Sequence, residues 1–341
     1  MAACSGLGSN SLPKIDSVPN LRLLCKRSTS STNSATHVGD AALYRSSKPD
    51  RITVADLDAF SKLGIKCIID FRSPTEYQGS DGLRLLDEEY VLYTVLLPKD
   101  KYKQGQCVQY ERTAIKQNQH NNSVEGSNKS IKSFDDNKSD GPLVEKRHFL
   151  INFFSFKYAK LLFSRLPWHL WCLGLLHLVW DILVWNKLKT LRKFIAINAV
   201  STGGIFGQYV DLIEVSQPAL CAGLKLISDS NNLPALINCA YGKDRTGIFC
   251  ALVLSCLGMP KDDVAREYAM STEGLQPIRH LMYQDIVEKH QLTEEFCTAE
   301  PSTMRHLLTY IENRYTSVEN YLVSIGFTKE EQLKLKSNFQ V

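Results

Sequence analysis

Apolar positions along the chain fall into short runs and long stripes, and their spacing indicates the elements. At 54–63 (VADLDAFSKL) the pattern predicts a helix, with Thr53 as N-cap, Asp56 as a short stand-in for the usual Glu at N3, and Gly64 ending it. The run at 66–71 reads as a core strand, 91–97 (VLYTVLL) as another, and 233–237 as a short buried strand with Pro234 at its start. Residues 246–257 (TGIFCALVLSCL) read as a buried helix closed by Gly258 and Pro260, and 262–270 continues helically. Met304, Leu307, Leu308, Ile311 and Tyr315 mark one face of an amphipathic helix. Thr328 with Glu331 forms a capping box for the last helix.

Three stretches break this pattern. Residues 1–40 are rich in serine, threonine and asparagine and are expected to be loose. From 101 to 147 the composition changes. Residues 117–140 have few apolar side chains and many Asn, Ser and Lys, too little to offset the entropy of ordering, so a disordered insertion is expected. The third stretch, 161–185 (LLFSRLPWHLWCLGLLHLVWDILVW), lies inside a hydrophobic segment at 153–193. It holds all four tryptophans, Trp168, Trp171, Trp180 and Trp185, with Lys157, Lys160 and Arg165 on one side and Lys187, Lys189, Arg192 and Lys193 on the other. Its length would allow a bilayer span, but Asp181 near the middle would be costly there, and basic residues on both flanks set no orientation. A helix lying in a membrane interface suits the tryptophans and cations, and a soluble lid is the alternative. The three readings stay open at this level.

Composition narrows the class. The 341 residues are 44% hydrophobic and 22% charged, enough for a full core, and one domain with additions is expected. A net charge of +4 does not make the whole chain a nucleic-acid binder, and no nucleic-acid partner is expected. Ten cysteines show no disulfide-framework spacing and no C-x2-C pair, and residues 1–20 contain no apolar signal core. A reducing, cytoplasmic setting is the expectation, with peripheral membrane attachment through 161–185 as an addition. No metal-ligand cluster is visible, and no cofactor is expected.

The chemistry concentrates in Cys239-Ala240-Tyr241-Gly242-Lys243-Asp244-Arg245-Thr246-Gly247. A strand, a tight turn and a helix start place successive backbone N–H groups around one concavity, and the positive end of the helix favours a dianionic phosphate there. The predicted phosphate-binding residues are Ala240, Tyr241, Gly242, Lys243, Asp244 and Arg245. Arg245 offers a planar fork for two phosphate oxygens, and the same field favours the Cys239 thiolate, the predicted nucleophile. Cys250 and Cys256 on the following helix and Cys67 in a strand are expected to be inert.

This stretch resembles the protein tyrosine phosphatase superfamily, in particular the bacterial-type tyrosine and lipid phosphatases whose loop reads HCxxGKDRTG. Asn20-Leu21-Arg22 and Ala42–Ser47 resemble the family's N-terminal NLRDLGG…LYRS segment, and 63–73 followed by Glu76 resembles its LGI..VVDLRS..E strand. Tyr268–Ser271 and 315–326 match later segments. The resemblance implies an α/β fold with a central, mostly parallel sheet flanked by helices, here a phosphatase domain over 41–341 carrying the two insertions. It implies no metal and a phosphocysteine intermediate, with substrates among phosphorylated proteins or phosphoinositides. Asp244 is the favoured general acid, and Asp211 upstream is the alternative. Lys243 either adds positive potential for an inositol phosphate or points to solvent. Two departures stand out. Asn238 replaces the family's histidine before the cysteine, although the Sac-type phosphoinositide phosphatases also carry an Asn-Cys pair. Residues 23–35 replace the glycine-rich turn. The rival expectation is a catalytically weak module that binds phosphorylated ligands or membranes.

Overall fold

The computed structural model describes residues 13, 15–27, 41–113, 145–185 and 188–339. Seven strands form one sheet: β1 (Arg22–Lys26), β2 (Ala42–Ser46), β3 (Cys67–Asp70), β4 (Val91–Leu96), β5 (Gln109–Arg112), β6 (Arg147–Leu150) and β7 (Ala235–Asn238). Their order is β1-β2-β7-β3-β6-β4-β5. The inner five are parallel, and the edge strands β1 and β5 are antiparallel to their neighbours. A parallel interior requires both faces to be covered, and β2, β3 and β7 are accordingly buried at every residue. The expected α/β architecture, a mostly parallel sheet flanked by helices, is the one found.

Helices cover the sheet in chain order: α1 (Val54–Ser61), α2 (Pro74–Gln78), α3 (Phe156–Ser164), α4 (Trp168–Leu183), α5 (Lys189–Ile195), α6 (Gly204–Val215), α7 (Gln217–Ser228), α8 (Asp244–Cys256), α9 (Lys261–Gly274), α10 (Arg279–Tyr283), α11 (Pro301–Tyr315), α12 (Val318–Ser324) and α13 (Lys329–Phe339). The main core packs α7 and α8 against the sheet through Phe71, Phe153 and Phe249. The stripe expected on α11 is buried at Met304, Leu307, Leu308 and Ile311. The capping box before α13 is made: Glu331 N–H donates to the Thr328 hydroxyl and Thr328 N–H to Glu331 Oε2.

Several local expectations change. Thr53 is the N-cap of α1 but makes no side-chain cap bond, and the Asp56 carboxylate accepts from the backbone and hydroxyl of Ser17. Part of the stretch expected to be loose is ordered, with Arg22–Lys26 pairing as an edge strand. Within the stretch expected to be disordered, Gln109–Arg112 pairs with β4, and Arg147 already belongs to β6. Two-sided polarity conceals such an edge strand, since all four residues of β5 are exposed. Residues 114–144 of that insertion and 28–40 lie outside the described residues. The hydrophobic run 161–185 is not one helix: α3 ends at Ser164, Pro167 is the N-cap of α4, and α4 stops at Leu183. No helix among the described residues is long and apolar enough to cross a membrane.

Candidate active site

The loop after β7 is held from behind by its carbonyls. Ala240 O accepts from Lys48 N–H at 3.2 Å, Tyr241 O from Asn20 Nδ2 at 3.3 Å, and Gly242 O from both Asn20 Nδ2 at 3.0 Å and Arg45 Nη2 at 2.7 Å. In a trans peptide the next N–H points opposite to the carbonyl. Three consecutive carbonyls fixed outward therefore turn the amides of Tyr241, Gly242 and Lys243 inward, toward the concave side. Gly242 makes this turn with φ of +65°, and a Cβ there would overlap the Ser46 carbonyl.

Arg45 is 0% exposed and donates from Nη1 to Glu267 Oε2 at 2.6 Å. Arg22 donates from Nε to the other oxygen of Glu267 at 2.8 Å. Burial works against the Glu267 charge, but the two guanidinium groups hold its carboxyl below the ordinary value. Burial and the neighbouring Arg45 push Arg22 down to about 10. This paired cluster sits directly behind the loop and makes its shape costly to alter.

Cys239 is buried at the base of the loop, with Arg245 on the first turn of α8. Arg245 donates from Nη1 to the Phe71 carbonyl and to Glu76 Oε2, and from Nη2 to Glu76 Oε1, each at 2.9 Å. Three of its N–H groups are thus engaged. The Nε–H and the second Nη2 hydrogen, on one edge of the plane, remain for two oxygens of an anion. Burial opposes the Arg245 charge, but Glu76 and the Cys239 sulfur hold the guanidinium above its ordinary value. Glu76 is itself fixed by the capping box of α2, in which Ser73 N–H donates to Glu76 Oε2 and Glu76 N–H to the Ser73 hydroxyl. The Phe154 ring lies 4.8 Å from the guanidinium centre and closes one side of the site.

Asp244 stands beside the loop with its Oδ1 accepting from Tyr209 Oη and Lys243 Nζ, both at 2.7 Å. Oδ2 has no hydrogen-bond partner among the described residues. Asp211, the alternative acid, is buried and held by both terminal nitrogens of Arg165. Lys243 meets neither expectation. Its side chain is fully buried, and its ammonium is spent on Asp244 and on the Thr298 carbonyl at 3.0 Å, not turned to solvent or to an open anion site. The Tyr241 hydroxyl donates to Asp285 at 3.0 Å, so this residue contributes backbone to the cradle. Asn238 is fully buried with neither amide atom hydrogen-bonded among the described residues.

Burial pushes the Cys250 thiol up to about 12 and the Cys256 thiol up to about 11, which makes both poor nucleophiles at neutral pH. Among the described residues no cluster of His, Cys, Asp or Glu could hold a metal ion. Asn20, Arg45, Glu76 and Tyr209 carry site roles that spacing did not reveal. The first three lie in segments that carried the family resemblance, while Tyr209 had no signal.

The site thus assembles a thiol, a fixed guanidinium edge, inward amides and a neighbouring carboxyl. The model of the tyrosine phosphatase family matches residues 13–145 and 187–341. A protein of Nostoc commune named tyrosine-protein phosphatase is 30% identical over 142 residues, which is 38% of this chain and 46% of that relative. The match spans less than half the length of the relative.

Proposed function

Since the chain belongs to the tyrosine phosphatase family, we propose that it hydrolyses phosphomonoesters through a phosphocysteine at Cys239. The Cys239 thiolate attacks phosphorus in line as the bond to the leaving oxygen breaks. Asp244 gives that oxygen its proton. Water then attacks the phosphocysteine, returning a proton to Asp244 and releasing inorganic phosphate and the thiolate. Arg245 and the amides of the loop stabilise the charge on the equatorial oxygens throughout. The observation that carries this reading is the anchored cradle: three carbonyls tied outward behind Cys239 and an Arg245 edge left open in front.

The substrate class is a phosphotyrosine-type or phosphoinositide monoester. Lys243 does not favour the lipid, because its charge is already paired inside the protein. A second reading, a phosphate-binding module with weak turnover, is favoured by Asn238, whose unbonded amide supplies no ordering contact where the resembled family has a histidine.

The test is phosphate release from a phosphotyrosine peptide and from phosphoinositides in liposomes, by the full chain and by Cys239→Ser and Asp244→Asn. Release that disappears in Cys239→Ser establishes the enzyme, and the preferred substrate names its class. Asp244→Asn is expected to lower turnover by about 100-fold or more on an alkyl or phenolic leaving group, and to erase the basic limb of the pH profile. No release by the wild type, with binding that still depends on Arg245, makes the protein a binding module.

A further inference from the structure

Helix α4 is inverted relative to an ordinary surface helix. Among its sixteen residues only Gly174 and Asp181 are buried. Gly174 is packed between the rings of Phe163 and Phe194, so α4 rests on α3 and α5 by its smallest residue. Asp181 is 2% exposed, and its carboxylate accepts the N–H groups of Thr190 and Leu191 in the first turn of α5. The side chains facing solvent are instead the large apolar ones. Trp168 is 81% exposed, Ile182 61%, Leu183 70%, and Trp185, just beyond the helix, 90%. A soluble helix presents its polar face to water, and this one presents its apolar face.

The charge around that face has one sign. Between 153 and 195 the chain has seven lysines and arginines and a single acidic residue, Asp181, which is turned inside. Lys160, Lys189, Arg192 and Lys193 are exposed and carry no ion pair among the described residues. The tyrosine phosphatase family match skips 146–186, which includes the core strand β6 as well as α3 and α4, so neither helix is part of the matched pattern. The segment is continuous with the site wall, since Phe154 over Arg245 lies on the same excursion of the chain just before α3.

We propose that the exposed face of α4, with the unpaired cations beside it, is a docking surface for an anionic lipid bilayer. Tryptophans at the interface supply the apolar contact and the lysines and arginines the attraction to acidic headgroups. The helix is too short to span and lies in the interface plane. The inference stands apart from turnover, because docking is read by binding.

All four tryptophans lie in 168–185, so tryptophan emission, excited selectively over that of the fourteen tyrosines, reports this segment alone. The experiment mixes the full chain with phosphatidylcholine vesicles and with vesicles in which a third of the lipid is phosphatidylserine. Emission and co-sedimentation are then measured. The expected result is a blue shift and sedimentation with the anionic vesicles only, weakened by high salt. Trp171→Ser/Trp180→Ser/Trp185→Ser and Lys189→Glu/Lys193→Glu are each expected to reduce partition by roughly tenfold or more. Both should retain wild-type turnover of a soluble phosphopeptide. The proposal is overturned if emission and sedimentation do not respond to anionic vesicles, if neutral vesicles bind equally, or if the variants bind as the wild type does. It is equally overturned if the chain forms a dimer whose tryptophan emission is already blue-shifted and unchanged by vesicles, since the occupant of the face is then a second copy.

Discussion

The loop around Cys239 and the helix α4 are the two most conspicuous stretches of the chain, and they bury opposite things. Behind the loop, Arg45, Glu267 and Lys243 are enclosed in protein, and each has a partner at bonding distance. Along α4 the apolar side chains face out, and the one carboxylate is enclosed. Side-chain polarity therefore did not decide burial in either region. The available partners did. A buried guanidinium is tolerated where Glu267 and the Gly242 carbonyl receive it, and a buried Asp181 is tolerated where the start of α5 needs acceptors. Apart from Leu170, which packs against the main core, most of the large apolar residues of α4 stay outside.

That contrast can be broken at its strongest point by Arg45→Met. The change leaves Glu267 buried with only Arg22 and frees one hold on Gly242 O. A stability loss of about 3–5 kcal/mol is expected from an uncompensated buried partner, with turnover falling as the loop loosens. Denaturant unfolding and steady-state kinetics check it. Trp185→Ser on the other region should move stability by less than about 0.5 kcal/mol, since that ring is in water already. Equal effects from the two would remove the distinction.

A smaller effect sharpens the electrostatic side. Glu76 and Glu267 have carboxyls held below their ordinary value of 4.5, by Arg245 and by the Arg45–Arg22 pair, with burial opposing. A depressed folded value means that the stabilisation is fully present above about pH 4.5 and is lost as pH falls through the folded values. The contribution of these two carboxylates should therefore be flat from neutral pH down to that point and then decline. Glu76→Gln should shallow the decline while lowering stability at neutral pH, because the Arg245 charge loses its partner. Denaturant midpoints measured across acid pH test this. An unchanged slope would mean that the pair adds nothing.

The smallest effect belongs to α4. Asp181→Asn keeps one acceptor oxygen but removes the charge at the start of α5, and about 1 kcal/mol or less of local stability is expected to go. Hydrogen exchange should rise at Thr190 and Leu191 while protection in α8 and turnover of a soluble substrate stay unchanged. A global loss would show that α4 and α5 belong to the core after all.

Much of the fold was legible along the chain because periodicity is local. β3, β4, β7, α8 and α11 all lie within a few residues of where hydrophobic spacing put them. β5 was missed because an edge strand exposed on both faces has no alternation to read. Cys239 and Arg245 were legible because the turn that joins them is itself short. The 161–185 run was legible as apolar but not as two helices, and its outward face could not be read at all.

The sequence by itself determined a strand, a glycine turn and a helix carrying Cys239 and Arg245, and with them the family. Tertiary structure alone decided what those residues meet. Glu76 reaches Arg245 across 169 positions, and Asn20 and Arg45 reach Gly242 across 222 and 197. It also withdrew Asp211 into a pair with Arg165 and Lys243 into the interior. Local propensity extends over a turn or two of chain, whereas charge partners and exposed faces are set by which distant segments pack together.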